Sequence, residues 1–308
     1  AATLDTLAVT GTVGVSVTGN ATLVNATALT LSASSIGGNL SATATTGNLT
    51  DSGTVTVGGN AVFNTSASNA GINLDQVSVT GNIQLNTANG GNASVTSARP
   101  INFDGSTVGG NLSVTTPGNI SQTGTAFTVA GNTTLSGAVI NLGATSNDFK
   151  GTVGFTGSNV TLRDDTNGLA LSGSSATGNV SIQALGMTQT GALSIIGTTA
   201  LNAGTGNIVL GDATNSFTGP VTLSVKSSAT LAAKTALVFD TSTVDGNLTV
   251  ESIGVDQVLN KLLSVNGDAD IDVTATGDIT LDNVGTNIGG VLTFNARNVA
   301  INDQGSLT

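Results

Sequence analysis

The sequence predicts an all-β chain, a parallel β-helix (β-solenoid), from three observations. A motif recurs four times: Leu29-Thr-Leu-Ser-Ala-Ser-Ser-Ile-Gly-Gly-Asn-Leu-Ser, Ile101-Asn-Phe-Asp-Gly-Ser-Thr-Val-Gly-Gly-Asn-Leu-Ser-Val, Leu169-Ala-Leu-Ser-Gly-Ser-Ser-Ala-Thr-Gly-Asn-Val-Ser-Ile and Leu237-Val-Phe-Asp-Thr-Ser-Thr-Val-Asp-Gly-Asn-Leu-Thr-Val. Its starts fall at positions 29, 101, 169 and 237, offsets of 72, 68 and 68. Between them, glycine landmarks at 11, 38, 59, 81, 110, 131, 151, 178, 197, 219, 246, 267 and 289 divide each repeat into one long unit and two short ones, with gaps of 27 to 29 and of 19 to 22. Within the units, apolar and polar residues alternate, as in Gly110-Asn-Leu-Ser-Val-Thr, so that Leu112 and Val114 point inward and Ser113 and Thr115 face water.

Units of about 20 residues, with period-2 stretches between Gly-Asn, Gly-Gly or Gly-Asp corners, are what single coils require, since glycine and asparagine tolerate the backbone values of tight corners. Stacked coils pair their backbone groups and share one core. The expectation is about 13 coils of roughly 20 to 29 residues, grouped in three-coil super-repeats of about 70. At about 4.8 Å per coil this gives a rod on the order of 60 Å long. One continuous β-helix fragment is expected over 1–308, with super-repeats at about 11–80, 81–150, 151–218 and 219–288 and partial ends at 1–10 and 289–308.

Composition agrees with narrow coils: 8% of residues are charged, 3% are aromatic, and there are 42 glycines among many small residues. A hydrophobic fraction of 38% and a mean hydropathy of +0.27 argue against disorder. The net charge of −11, with seven scattered basic residues, argues against nucleic acid and anionic membrane surfaces as partners. There is no cysteine, hence no disulfide and no thiolate chemistry, and no histidine, the commonest general base. No run approaches eighteen consecutive apolar residues, so no membrane insertion is expected. The chain opens on Ala-Ala-Thr-Leu-Asp without a signal peptide and breaks off in mid-pattern, and is expected to be a piece of a longer exoprotein.

In chain order, Leu7-Ala-Val-Thr-Gly11 matches Val77-Ser-Val-Thr-Gly81, and Ser121-Gln-Thr-Gly-Thr matches Thr188-Gln-Thr-Gly-Ala. Ser146-Asn-Asp-Phe-Lys-Gly-Thr-Val likewise matches Thr214-Asn-Ser-Phe-Thr-Gly-Pro-Val. Pro220 follows a corner glycine, where a missing amide costs the ladder least. Val255-Asp-Gln-Val-Leu-Asn-Lys-Leu-Leu departs from the pattern; it reads as a modified coil, with a single helical turn as the alternative. The extra length of the long units precedes Ser34, Ser106, Ser174 and Ser242, so protruding loops are expected along one edge there.

No catalytic constellation is expected. Arg163-Asp164-Asp165 is the one tight charge cluster and reads as a solvent-facing turn. Asp268, Asp270 and Asp272 place three carboxylates on the outer face of one strand, with Asp278 and Asp282 about a coil further on. They are the candidates for calcium, which takes oxygen ligands, although their spacing matches no calcium-loop pattern and a solvated face is the plainer reading. Asn-x-Ser/Thr at Asn20, Asn39, Asn48, Asn92, Asn111, Asn132, Asn179 and Asn247 follows from corner asparagines before Thr/Ser-rich strands, although each is also a glycosylation acceptor pattern. Thr43-Ala-Thr45, Thr54-Val-Thr56 and Thr274-Ala-Thr276 do not recur once per coil, as an ice-binding ladder requires.

The shared order of Leu169 to Ile182, Gln189 to Gly197 and Asn215 to Val221 resembles the repeats of filamentous haemagglutinin-like exoproteins of Gram-negative bacteria. The resemblance implies a right-handed parallel β-helix, export through an outer-membrane transporter of the two-partner type, and a role in adhesion, aggregation or biofilm matrix. It implies no catalytic residue and no cofactor. The expected function is a structural stalk of a secreted cell-surface adhesin, with matrix or surface polysaccharide, or neighbouring cells, as partners. The alternatives are a self-assembling extracellular fibre or sheath subunit associating end to end or laterally, and a β-helix that binds or degrades polysaccharide. The absence of Trp and Tyr weighs against an aromatic glycan platform.

Overall fold

The computed structural model describes residues 1–274 and 276–304. Ala275, centre of the Thr274-Ala-Thr276 motif, and the last four positions of the terminal partial repeat lie outside the described residues. Every regular element among the described residues is a β-strand, and strands pair only in parallel, as a β-solenoid of about 15 turns. The chain divides into two compact units, Ala1–Val153 and Gly154–Thr308.

In the first unit, Ala21–Asn25, Leu40–Ala44, Ala61–Thr65 and Asn82–Thr87 stack as one sheet. Ala21 pairs with Leu40, Leu40 with Ala61 and Ala61 with Ile83, steps of 19, 21 and 22 along the chain. The strands between them form the second sheet, where Leu29 pairs with Leu49 and Ile72 with Ala93. Burial alternates at every second residue, with Leu23, Ala42, Phe63 and Leu85 inside and their neighbours outside. Phe103, Phe127 and Phe149 form an internal aromatic column, the first pair edge to face at 4.9 Å and the second stacked at 6.3 Å. The second unit repeats the scheme, with Val180–Ala184, Thr199–Gly204 and Val221–Val225 in one sheet and Met187, Ile208 and Ala229 successive partners in the other.

The turn count corrects the expected 13 coils. A short landmark unit, Gly38 to Gly59, holds one side of each sheet, Leu40–Ala44 on one and Leu49–Asp51 with Val55–Val57 on the other, and makes one turn. A long unit, Gly11 to Gly38, holds three sides in succession, at 12–17, 21–25 and 29–36, and makes a turn and a half. Each super-repeat is therefore three and a half turns, and the next one starts in the other sheet. Within the first unit, Leu29 opens its motif in one sheet and Ile101 in the other; within the second unit, Leu169 and Leu237 differ in the same way.

The Gly-Asn corners form ladders. The side-chain carbonyl of Asn39 accepts the Asn60 amide at 2.9 Å, Asn60 that of Asn82 at 2.9 Å, Asn92 that of Asn111 at 2.8 Å and Asn111 that of Asn132 at 2.8 Å. Asn20, Asn48, Asn132, Asn179 and Asn247 do the same for Asn39, Gly71, Thr152, Thr198 and Asp268. The corner glycine is required by close approach: a Cβ on Gly59 would collide with Asn39 Oδ1 and the Gly38 backbone. The column in the second unit ends where it is no longer needed. Thr198, which lacks an amide side chain, lies beneath Pro220, which has no N–H to donate, since Thr199 pairs with Val221.

The four motif serines lie inside, which overturns the expectation of a loop edge. Ser34, Ser106, Ser174 and Ser242 are buried, and each Oγ accepts a backbone amide of the preceding coil, from Val15, Leu85, Phe155 and Leu223, at 3.0 to 3.1 Å. In each unit the two serines belong to opposite sheets, so they share no edge. The segment after Val255 is a modified coil and not a helical turn. Val255–Gln257 and Leu263–Val265 are strands joined by a turn with Asn260 at φ 60°, closed by Gln257 Nε2 donating to the Lys261 carbonyl at 2.8 Å.

Candidate functional site

The acidic face lies on Leu248–Ser252, Ala269–Val273 and Leu292–Asn295, adjacent coils of one sheet in the second unit. Alternation buries Ala269, Ile271 and Val273 and turns Asp270 and Asp272 outward. Thr249 and Glu251 stand beside them on the coil before, and Thr293 and Asn295 on the coil after. Asp272 accepts a hydrogen bond from Asn295 Nδ2 at 3.1 Å. Asp268 is not on this face. It occupies the corner ladder in place of an asparagine, its amide donating to Asn247 Oδ1 at 2.9 Å and its Oδ1 accepting the Val291 amide at 2.8 Å.

The three calcium candidates therefore divide between two shallow clefts. Asp268 and Asp270 line one of about 440 Å³ with Asn247, Thr249 and Thr293. Asp272 lines another of about 370 Å³ with Glu251, Lys234 and Ile253. Among the described residues no group of three or more acidic side chains is placed to hold a metal ion. Glu251 and Lys234 escaped the sequence reading because they stand 21 and 38 positions before Asp272, which become one and two coils only when the turn length is known.

Asp278 and Asp282 belong to Asp278–Ile288, a strand of the other sheet. Arg297 grips Asp278 through Nε at 2.9 Å and Nη2 at 2.7 Å, and its hydrogen bonds hold the Asp278 carboxyl below the usual range. The Arg163 cluster is only half solvent-facing. Asp165 takes Arg163 Nε at 2.8 Å on the surface, whereas Asp164 is fully buried and closes the turn by accepting the Thr166 amide at 3.0 Å, the Thr166 hydroxyl at 2.9 Å and the Asn167 amide at 3.1 Å. A buried carboxylate needs such donors, and they account for its place there. No described helix is long and apolar enough to cross a membrane.

Two reciprocal amide pairs in the coil walls were also hidden from the sequence reading. Gln122 pairs with Asn147 and Gln189 with Asn215, at separations of 25 and 26 along the chain. Their recurrence in the near-duplicate Gln-Thr-Gly and Asn-x-Phe segments was the available signal.

A family model described as "Repeats of unknown function (DUF5649)" matches the chain four times, over residues 18–89, 90–156, 157–224 and 226–295. The first boundary falls at a change of sheet: the first and last strands within residues 18–89, Ala21–Asn25 and Asn82–Thr87, lie in one sheet, and residue 90 leads into Ala93–Ser97 of the other. Comparisons with curated proteins and with solved structures returned no match. With four consecutive copies covering nearly all of its length, the chain belongs to the DUF5649 repeat family.

Proposed function

We propose that the chain is a stalk segment of a secreted bacterial surface adhesin of the filamentous haemagglutinin-like kind, exported by the two-partner route and acting outside the cell in adhesion and biofilm matrix formation. The observation that carries this reading is the use made of the recurring residues. Corner asparagines, motif serines and Gln/Asn pairs each tie one coil to the next. What repeats is what joins coils, which suits a segment that holds other parts of a protein apart. The motif order from Leu169 to Val221 supports the kinship with exoprotein repeats.

The test anchors the chain on a laboratory bacterium beneath a module of known surface-binding specificity, with all four family repeats or with one or two removed. A spacer predicts that cell attachment declines as repeats are removed while the affinity of the free module is unchanged. Attachment independent of repeat number would overturn the reading.

A further inference from the structure

On the first unit, four consecutive coils place one outward side chain each in a single column: Thr43 pairs with Asn64, Asn64 with Asn86, and Asn86 with Thr107. The column lines a groove of about 560 Å³, walled by Ser66 and Ala88. Asn86 Nδ2 donates to Asn64 Oδ1 at 2.9 Å, Asn64 Nδ2 donates to Thr43 Oγ1 at 3.3 Å, and Asn86 Oδ1 accepts the Thr107 amide at 3.4 Å. These bonds orient both carboxamides and, among the described residues, leave each with one N–H, and the threonines with their O–H groups, directed to no protein acceptor. The donors are preorganised at the coil spacing of about 4.8 Å. Beside the column, Ser41, Val62 and Gln84 pair across the same three coils on the same outer face. No charged residue lines the groove, although the chain carries a net −11.

We infer that this groove binds a neutral, extended oligosaccharide lying along the Thr43–Asn64–Asn86–Thr107 column. Successive sugar hydroxyls accept from the fixed amides, and the Ala88 methyl in the groove wall meets a ring face. The coil spacing is close to the length of one sugar in an extended chain, so one contact repeats per residue. A uronate polymer gains nothing here, since no cation lines the groove to pair with its carboxylates. On the proposed stalk, such a groove would add a ligand site of the segment's own to its spacing role.

The experiment titrates the purified chain with neutral linear tetrasaccharides of glucose, N-acetylglucosamine, galactose and mannose, and with tetragalacturonate, following the side-chain amide signals of Asn64 and Asn86 by NMR. At least one neutral probe is expected to shift both signals saturably, and the N64D/N86D variant to bind it about tenfold more weakly or worse. The variant's backbone amide spectrum and melting curve report whether it folds. If it does not, T43V/T107V, which keeps the isosteric shape, takes its place and is expected to weaken the same probe. No saturable shift by any neutral probe, a preference for tetragalacturonate, or unchanged binding by a folded variant would each overturn the assignment. Failure here leaves the stalk reading standing, because repeat removal tests that separately.

Discussion

The carboxamides of Gln122 and Asn147 face each other across one coil and exchange two hydrogen bonds, Gln122 Nε2 to Asn147 Oδ1 at 2.7 Å and Asn147 Nδ2 to Gln122 Oε1 at 3.1 Å. Asn147 is fully buried and also accepts the Phe127 amide at 2.8 Å and donates to the Leu142 carbonyl at 3.0 Å. Asn147→Ala orphans these partners, and a loss of about 3 kcal/mol in urea unfolding is expected at roughly 1–3 kcal/mol per unsatisfied buried group. Q122A/N147A in a double-mutant cycle should then show a coupling of about 1 kcal/mol or more. Additive losses would show that the pair does not act as a unit.

The motif serines predict a matched series. Ser106→Ala and Ser242→Ala each leave a buried amide, of Leu85 or Leu223, without its acceptor. Each is expected to cost about 1–3 kcal/mol although only one oxygen is removed. Equal stability of variant and parent in denaturant titrations would contradict the internal role.

Thr199 supplies the opposite sign. Its hydroxyl is buried and has no hydrogen-bond partner among the described residues, in a column between Val180 and Val221. Thr199→Val keeps the shape and removes a desolvated polar atom, so the melting temperature should rise, by the equivalent of about 1 kcal/mol. A lower melting temperature would mean that the hydroxyl finds a partner in solution.

Corner glycines should separate by position. Gly59→Ala drives a Cβ into Asn39 Oδ1 and breaks its bond to the Asn60 amide, whereas a Cβ on Gly11 meets nothing within 4 Å. Calorimetry is expected to show a loss of about 1–3 kcal/mol for the first and near neutrality for the second.

The pH dependence follows from the carboxylates. Hydrogen bonds from Thr214 to Asp212, from the Thr241 amide to Asp240 and from Arg297 to Asp278 hold these groups below the ordinary value of 3.8. Such groups bind protons more weakly folded than unfolded, so their stabilisation is present above about pH 4 and is lost as pH falls through their folded values. Burial raises Asp51 instead, against the hydrogen bonds from the Asp75 and Gln76 amides, so its ionisation disfavours the fold as pH rises and partly offsets the acid loss. Without His, Cys or Tyr, no side chain ordinarily titrates between about pH 5 and 9. Melting temperature should be level across that interval and fall below about pH 4, more steeply in Asp51→Asn; a transition centred near neutrality would contradict this assignment.

Alternation at every second position, as in Leu112 and Val114, and the Gly-Asn corners were enough to determine an all-β parallel solenoid with repeats of about 70 residues. Both signals are local: strand geometry sends alternate side chains to opposite faces, and corners need residues that permit sharp bends. Only the tertiary structure decided that each repeat makes three and a half turns. The corner at Ala26-Thr27-Ala28 carries no glycine and is held by the Asn25 side chain, which donates to Thr27 Oγ1 at 3.1 Å and to the Ala28 carbonyl and exchanges hydrogen bonds with Val9 at 3.0 and 2.8 Å, so counting glycines passes over it. The same half turn puts Ser106 inside the sheet opposite Ser34, and register one coil away sets Glu251 beside Asp272 while Asp268 goes to the corner. Contacts of this kind join positions a full coil apart along the chain, and their pairing is fixed by the length of a turn, a quantity settled only when the coils stack.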